Sequence, residues 1–299
     1  MGRGNFVNYV YYQASGEFFE ILNKRNFAYC VIKGAPLSYL AYGDFEYRLS
    51  CDIDLLTDRK NLSFIEKVLL QCSFQPAKSE TDFEKNRRNR MLMLTKSHQI
   101  FPFVKKVKGI YVRIDLNFDI LWGESDENID VSAFIEDRLM MNIYGHNIYT
   151  LSSCKMLICL CLHNYKDINS LYLLQKENPI NSERFADIYN LILHTGDDFV
   201  ADELKKICER FCIKQYIYYM LYYTYKIYND KKLLKLVIAL EDEQGKEILD
   251  YYGLHKSERK RWRIPFEERL NHKKIGELLL DDYTEENIEK LKINQELFE

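Results

Sequence analysis

Asp52 and Asp54 stand two residues apart in Cys51-Asp52-Ile53-Asp54-Leu55-Leu56, an otherwise apolar run. Such a run predicts a strand over 52–57. Side chains at i and i+2 of a strand share a face. The two carboxylates therefore sit side by side, while Cys51, Ile53 and Leu55 are expected to point into a core. Paired carboxylates repel unless a cation neutralises them. Hard divalent cations with oxygen ligands are the natural partner. A third carboxylate, Asp115, lies much later in Ile110-Tyr111-Val112-Arg113-Ile114-Asp115-Leu116-Asn117-Phe118. There apolar residues alternate with Tyr111, Arg113, Asp115 and Asn117, which predicts a strand with Asp115 on its polar face. Asp119 shares that parity but falls at the strand's end.

The elements that must position these groups are also legible. The run 27–32, Phe-Ala-Tyr-Cys-Val-Ile, suits a buried strand. Lys33-Gly34-Ala35-Pro36 follows it. Glycine permits a sharp turn, and proline suits a helix's first turn. The helix is expected to end near Tyr42, at Gly43. Free N–H groups at its start would form an anion site beside Lys33. Arg48 precedes the second strand. Helices are expected over 9–25 and 59–74, with a charged, exposed connector over 78–90 ending in Arg87-Arg88-Asn89-Arg90. Residues 91–94 and 98–104 read as extended and 105–109 as a turn. The resulting hairpin would bring Asp115 beside the Asp52 strand.

From about residue 151 the pattern becomes helical, giving expected domains 1–150 and 151–299. The segment 155–165 is apolar nearly all round, so its helix should be central to its domain. Further helices are expected over 182–195, 198–212, 214–228 and 230–250. The third is rich in tyrosine, which fits core and helix–helix packing better than base stacking. The basic tail residues Lys256, Arg259, Lys260, Arg261 and Arg263 read as a solvated surface.

Composition narrows the function classes. The chain has 299 residues, 47% of them hydrophobic, enough for a sizeable core in one or two domains. A net charge of −3 does not announce a nucleic-acid binder. Eight cysteines without paired CxxC knuckles read as reduced thiols in a cytoplasmic protein. No apolar run reaches transmembrane length, and residues 1–6 lack an apolar signal core.

The succession of glycine turn, helix, Asp-x-Asp strand, later aspartate strand and helical half resembles the nucleotidyltransferases of the polymerase-beta-like superfamily. The stretch IKGAPLSYLAYGDFEYRLSCDIDLLTD looks most like a branch of minimal bacterial nucleotidyltransferases. That branch carries a Lys-Gly turn, an arginine shortly before Asp-Ile-Asp-Leu-Leu, and a later acidic residue before an aromatic, which Ile114-Asp115-Leu116-Asn117-Phe118 matches. Leu157 to Asp167, LICLCLHNYKD, resembles a helix of the second half that carries a histidine and a lysine. The resemblance spans about 27–200. It implies an α+β fold, in which a mixed sheet with helices forms the nucleotidyltransferase core and an all-helical C-terminal half follows.

The resemblance also implies an activity. A nucleoside monophosphate would move from an NTP such as ATP to an acceptor hydroxyl, with release of pyrophosphate. Asp52, Asp54 and Asp115 would ligate two Mg2+ ions, or Mn2+ in their place. Asp115 would help deprotonate the acceptor. Lys33, Gly34 and Ala35 would hold phosphates, and Arg48, His163 and Lys166 would contact the nucleotide. The acceptor is left open among small molecules, peptides, proteins and tRNA. A toxin-type branch that modifies tRNA ends shares the pattern Arg48-x-Ser50-x-Asp52-x-Asp54. A non-catalytic nucleotide-binding module is the other alternative. Two departures stand out: many superfamily members have Gly-Ser where this chain has Gly34-Ala35, and close relatives have histidine at the position of Asn117.

Overall fold

The apolar runs of the first half become the strands of one sheet. The computed structural model describes residues 3–77, 83–176, 180–195 and 201–298. The chain divides into two compact units, residues 1–123 with 129–156, and residues 124–128 with 157–299. In the first unit, α1 (Arg3–Lys24) leads into β1 (Tyr29–Val31), α2 (Ala35–Tyr42), β2 (Ile53–Thr57) and α3 (Leu62–Gln71). Then come β3 (Gln75–Pro76), α4 (Phe83–Lys96), β4 (Phe103–Val107) and β5 (Ile110–Asn117). A short α5 (Val131–Phe134) and the hairpin β6 (Leu139–Ile143) and β7 (His146–Thr150) complete it.

These strands form a seven-stranded mixed sheet in the order β3-β4-β5-β2-β1-β7-β6. β2 runs antiparallel to β1, with Val31 opposite Leu55. It runs parallel to β5, with Asp54 opposite Asp115. Period-two alternation splits both central strands between two faces. Ile53 and Leu55 from β2, with Val112, Ile114 and Leu116 from β5, enter a core shared with Phe18, Phe19 and Leu22 of α1 and Ile65 and Leu69 of α3. Asp54, Asp115 and Asn117 therefore face the other side.

Several local expectations are corrected. The strand begins at Ile53, and Cys51 is exposed rather than core-facing. Residues 91–94 are helical, as the last part of α4. Their long side chains, none branched at Cβ, favour helix over strand. Arg90 on that helix forks onto Glu66 of α3 at 2.5 and 2.7 Å. Residues 78–82 of the charged connector lie outside the described residues. The turn before β5 is shorter than expected: Lys108 and Gly109 both take positive φ, as a two-residue hairpin requires.

The second unit is mainly helical rather than all-helical, because Tyr251–Tyr252 pairs antiparallel with Lys260–Arg261 in a small two-stranded sheet. Its helices are α6 (Ser153–Asn169, whose first turn belongs to the first unit), α7 (Leu171–Gln175), α8 (Glu183–His194), α9 (Ala201–Arg210) and α10 (Lys214–Tyr228). Next come α11 (Lys231–Ala239) and α12 (Glu243–Ile248). One helix was expected over 230–250. Asp242 interrupts it by accepting the Gly245 N–H at 2.8 Å, an N-cap that starts a new helix. In α10, Tyr216, Tyr218, Tyr219 and Tyr223 are buried, and Tyr165 of α6 lies 4.8 and 5.0 Å from the rings of Tyr216 and Tyr219. The tyrosines are packing residues. In the basic tail, Trp262 and Arg269 are buried, and the Arg269 guanidinium lies 5.1 Å from the Trp262 ring centre. That part of the tail is core, not solvated surface. Among the described residues no helix is long and apolar enough to cross a membrane.

Candidate active site

β1 delivers the chain to a turn that only glycine adopts easily. Gly34 has φ 65° and ψ −133°, a conformation that strains residues with a Cβ. Pro36 sits in the first turn of α2, and Gly43 ends that helix in the left-handed region. Lys33, between β1 and the turn, places its Nζ 3.0 Å from Asp54 Oδ2. Asp54 and Asp115 are in register on neighbouring parallel strands. They are only 8% and 5% exposed, a burial that charged carboxylates reach only when paired. The partner of Asp115 is Arg113, two residues before it on the same strand face. Its Nε donates to Oδ1 at 2.6 Å and Nη2 to Oδ2 at 2.9 Å. Asn117, next on that face, donates weakly to Asp54 Oδ1 at 3.4 Å.

The electrostatics single out Asp52. Burial, then repulsion from Asp54 and Asp115, raises its pKa to about 6, against the pull of Lys33 and Arg113. Burial also raises Asp115, which Arg113 partly offsets. The site holds more negative charge than its own cations balance. Among the described residues, however, no group of three or more His, Cys, Asp or Glu side chains is arranged to hold a metal ion. Lys33 pairs with Asp54, and Arg113 with Asp115. In kind, the donors fit a hard divalent cation: three carboxylates, two in register, with unrelieved repulsion at the third. For Asp115 to join such a set, its pair with Arg113 has to open.

Two residues of α1 hold the loop that carries Asp52. Asn8, 1% exposed, donates to the carbonyls of Phe45 and Arg48 at 3.1 and 3.0 Å and accepts the Ser50 N–H at 3.2 Å. The Tyr11 hydroxyl lies 2.9 Å from the Cys51 carbonyl and 3.0 Å from that of Tyr111 on β5. Arg48 sits on this loop, half-buried, with its N–H donating to Ser38 Oγ at 3.0 Å.

Within the first unit the structure thus brings Lys33, Gly34, Ala35, Asp52, Asp54 and Asp115 together. His163 and Lys166 lie in the second unit, on α6, where they meet Asp167 at 3.4 and 3.7 Å. Arg184 of α8 joins the same carboxylate at 2.7 Å. Sequence reasoning missed Asn8, Tyr11 and Arg113 as site residues. For Arg113 a signal existed, since an arginine two residues from Asp115 on one strand must share its face. Asn8 and Tyr11 offered only polar atoms within an apolar helix.

A likeness to known proteins accompanies this geometry. No curated protein matches the chain. Among solved structures, an antigenic nucleotidyltransferase-like protein from Paracoccidioides brasiliensis is 15% identical, with 80% of this chain and 94% of that one covered and a TM-score of 0.41. That similarity is too slight to carry any argument. A family profile described as uncharacterised nucleotidyltransferase matches residues 7–229, from α1 through the carboxylate strands to α10. On that match the chain belongs to the uncharacterised nucleotidyltransferase family.

Proposed function

We propose that the protein moves a nucleoside monophosphate from a nucleoside triphosphate to an acceptor hydroxyl or similar nucleophile, releasing pyrophosphate, in a divalent-cation-dependent reaction. The observation that carries this reading is the register of Asp54 with Asp115 across β2 and β5, with Lys33 and the Gly34 turn beside them. Asp52, Asp54 and Asp115 would hold two Mg2+ ions, or Mn2+. When bound, such ions lower the pKa of an attacking hydroxyl and neutralise charge on the triphosphate and the leaving pyrophosphate.

The chain's own groups do the rest. Lys33 and the backbone amides at Gly34 and Ala35 are assigned to the triphosphate. Arg48, His163 and Lys166 are assigned to the nucleotide. The acceptor oxygen attacks the α-phosphorus, and its proton passes to a site carboxylate, for which Asp115 is the candidate. The bond from the α-phosphorus to the bridging oxygen of pyrophosphate breaks. None of the eight cysteines is joined in a disulfide, which favours a reducing, cytoplasmic setting.

Calorimetry with ATP, CTP, GTP and UTP tests the first step. Binding is expected to require Mg2+ and to disappear in Asp54→Ala. Labelled NTPs incubated with cell extract and total tRNA test the second, with label transfer expected to disappear in Asp52→Asn. If neither Mg2+ nor Asp54→Ala changes nucleotide binding, the enzyme reading fails and a non-catalytic module replaces it. Label entering tRNA alone would favour the toxin-type enzyme, a reading supported by the Arg48-x-Ser50-x-Asp52-x-Asp54 pattern.

A further inference from the structure

The Gly34 turn lacks the hydroxyl that the superfamily places on the next residue, because that residue is Ala35. Two hydroxyls from elsewhere approach the turn instead. A Cβ placed on Gly34 would lie 3.1 Å from Ser50 Oγ and 3.7 Å from the Tyr12 hydroxyl. Ser50 is 8% and Tyr12 2% exposed. Ser50 Oγ has no hydrogen-bond partner among the described residues. The Tyr12 oxygen meets the Ala35 N–H, but its own proton has no acceptor there. Burial pushes the Tyr12 phenol well above its ordinary pKa, so it stays protonated and able to donate. Ser50 is held by its own N–H bond to Asn8, which leaves its Oγ uncommitted.

An unpaired buried hydroxyl is expensive, about 1–3 kcal/mol each. Native structures leave few of them, and those few ask for a cause. Here two converge on one glycine, at the start of an eight-residue helix whose second residue, Pro36, has no N–H to offer. Donors without acceptors, beside helix-start amides and Lys33, are matched to an anion rich in oxygen atoms.

We infer that the Ser50 and Tyr12 hydroxyls, with the α2 N-terminus, form a donor cradle for a phosphate oxygen of the nucleoside triphosphate, replacing the hydroxyl absent at Ala35. The inference rests on the nucleotidyl-transfer reading above. It makes Gly34 doubly necessary, for its positive φ and because a Cβ there would crowd Ser50 Oγ.

The test is calorimetry on the full chain and on Ser50→Ala and Tyr12→Phe, with Mg2+-ATP, inorganic tripolyphosphate and adenosine as probes, alongside thermal melts. Each variant is expected to bind ATP and tripolyphosphate about ten- to a hundredfold more weakly, the loss of one hydrogen bond to a charged group. Adenosine binding should not change. The Ser50→Ala melting temperature should stay level or rise, because the hydroxyl removed had no partner in the free protein. Unchanged triphosphate affinity in both variants, with the wild type binding normally, would overturn the cradle and leave the transfer reading standing. So would lower melting temperatures with equal weakening for adenosine, which is the mark of a structural role. A wild-type chain that binds no Mg2+-triphosphate at all would overturn both readings.

Discussion

Asp54 and Asp115 each touch a cation, whereas Asp52 forms no ion pair among the described residues. Its pKa near 6 means that holding it ionised at neutral pH works against the fold. Asp52→Asn removes one of three mutually repelling carboxylates at nearly constant shape. It is expected to stabilise the metal-free protein by about 1–2 kcal/mol while abolishing transfer. A thermal melt without divalent cation checks this, and a lower melting temperature would refute it. Arg113 sits on the other side of the balance. Arg113→Gln leaves Asp115 buried without its forked partner, a loss of roughly 1–3 kcal/mol. Added Mg2+ should recover more stability in Arg113→Gln than in wild type, because the carboxylates it needs are already released. Equal recovery in both proteins would show that Arg113 does not compete with a cation.

The elements divide into those that speak in the sequence and those that depend on distant partners. Helix α1 does both. Its apolar stripe, with Phe18, Phe19 and Leu22 fully buried, follows from helical spacing. Its task of pinning the loop before β2 does not, because Asn8 and Tyr11 reach partners some 40 and more residues away. Asn8→Ala should cost about 1–3 kcal/mol and lower kcat, since the loop it releases carries Asp52. Leu69→Ala, which costs about 2–5 kcal/mol on the core side of the sheet, should leave kcat nearly unchanged in the folded protein. Equal kcat losses would mean the pinning has no catalytic consequence. The same contrast governs what could be read beforehand. Asp52, Asp54, Asp115 and the Lys33-Gly34 turn announce themselves through short-range pattern: i, i+2 spacing, alternation and a glycine before a proline. That the Asp115 strand lies beside the Asp52 strand was expected, but its parallel register, with Asp54 opposite Asp115, was not, because neither strand's own pattern specifies its partner's register. The two-residue edge strand β3 and the β6–β7 hairpin carried too little apolar alternation to show. Residues 91–94 were assigned to a strand because four apolar or neutral residues in a row fit either period. The absence of branching at Cβ and the arginines before them were the overlooked argument for helix.

At the scale of the whole molecule, the second unit stores an electrostatic dependence of its own. Asp167 on α6 is 9% exposed and is approached by His163, Lys166 and Arg184. Burial alone would raise its pKa, but the three cations outweigh burial and hold it well below the ordinary carboxylate range. A carboxyl whose folded pKa is depressed gives stability that is fully present above its unfolded value, near 4. That stability drains away as pH falls through the folded pKa. The protein should therefore lose stability progressively in acid below about pH 4, in part through Asp167. In Asp167→Asn, Lys166 and Arg184 keep their positions and lose their counter-charge, which at neutral pH should cost about 3–5 kcal/mol. Because the variant has no titrating group there, the gap between it and wild type should narrow steadily as pH is lowered into the acid range. Urea midpoints of both proteins at neutral and acid pH measure that gap. A gap that stays constant with pH would mean Asp167 is held by shape and hydrogen bonding rather than by the charge of its three neighbours.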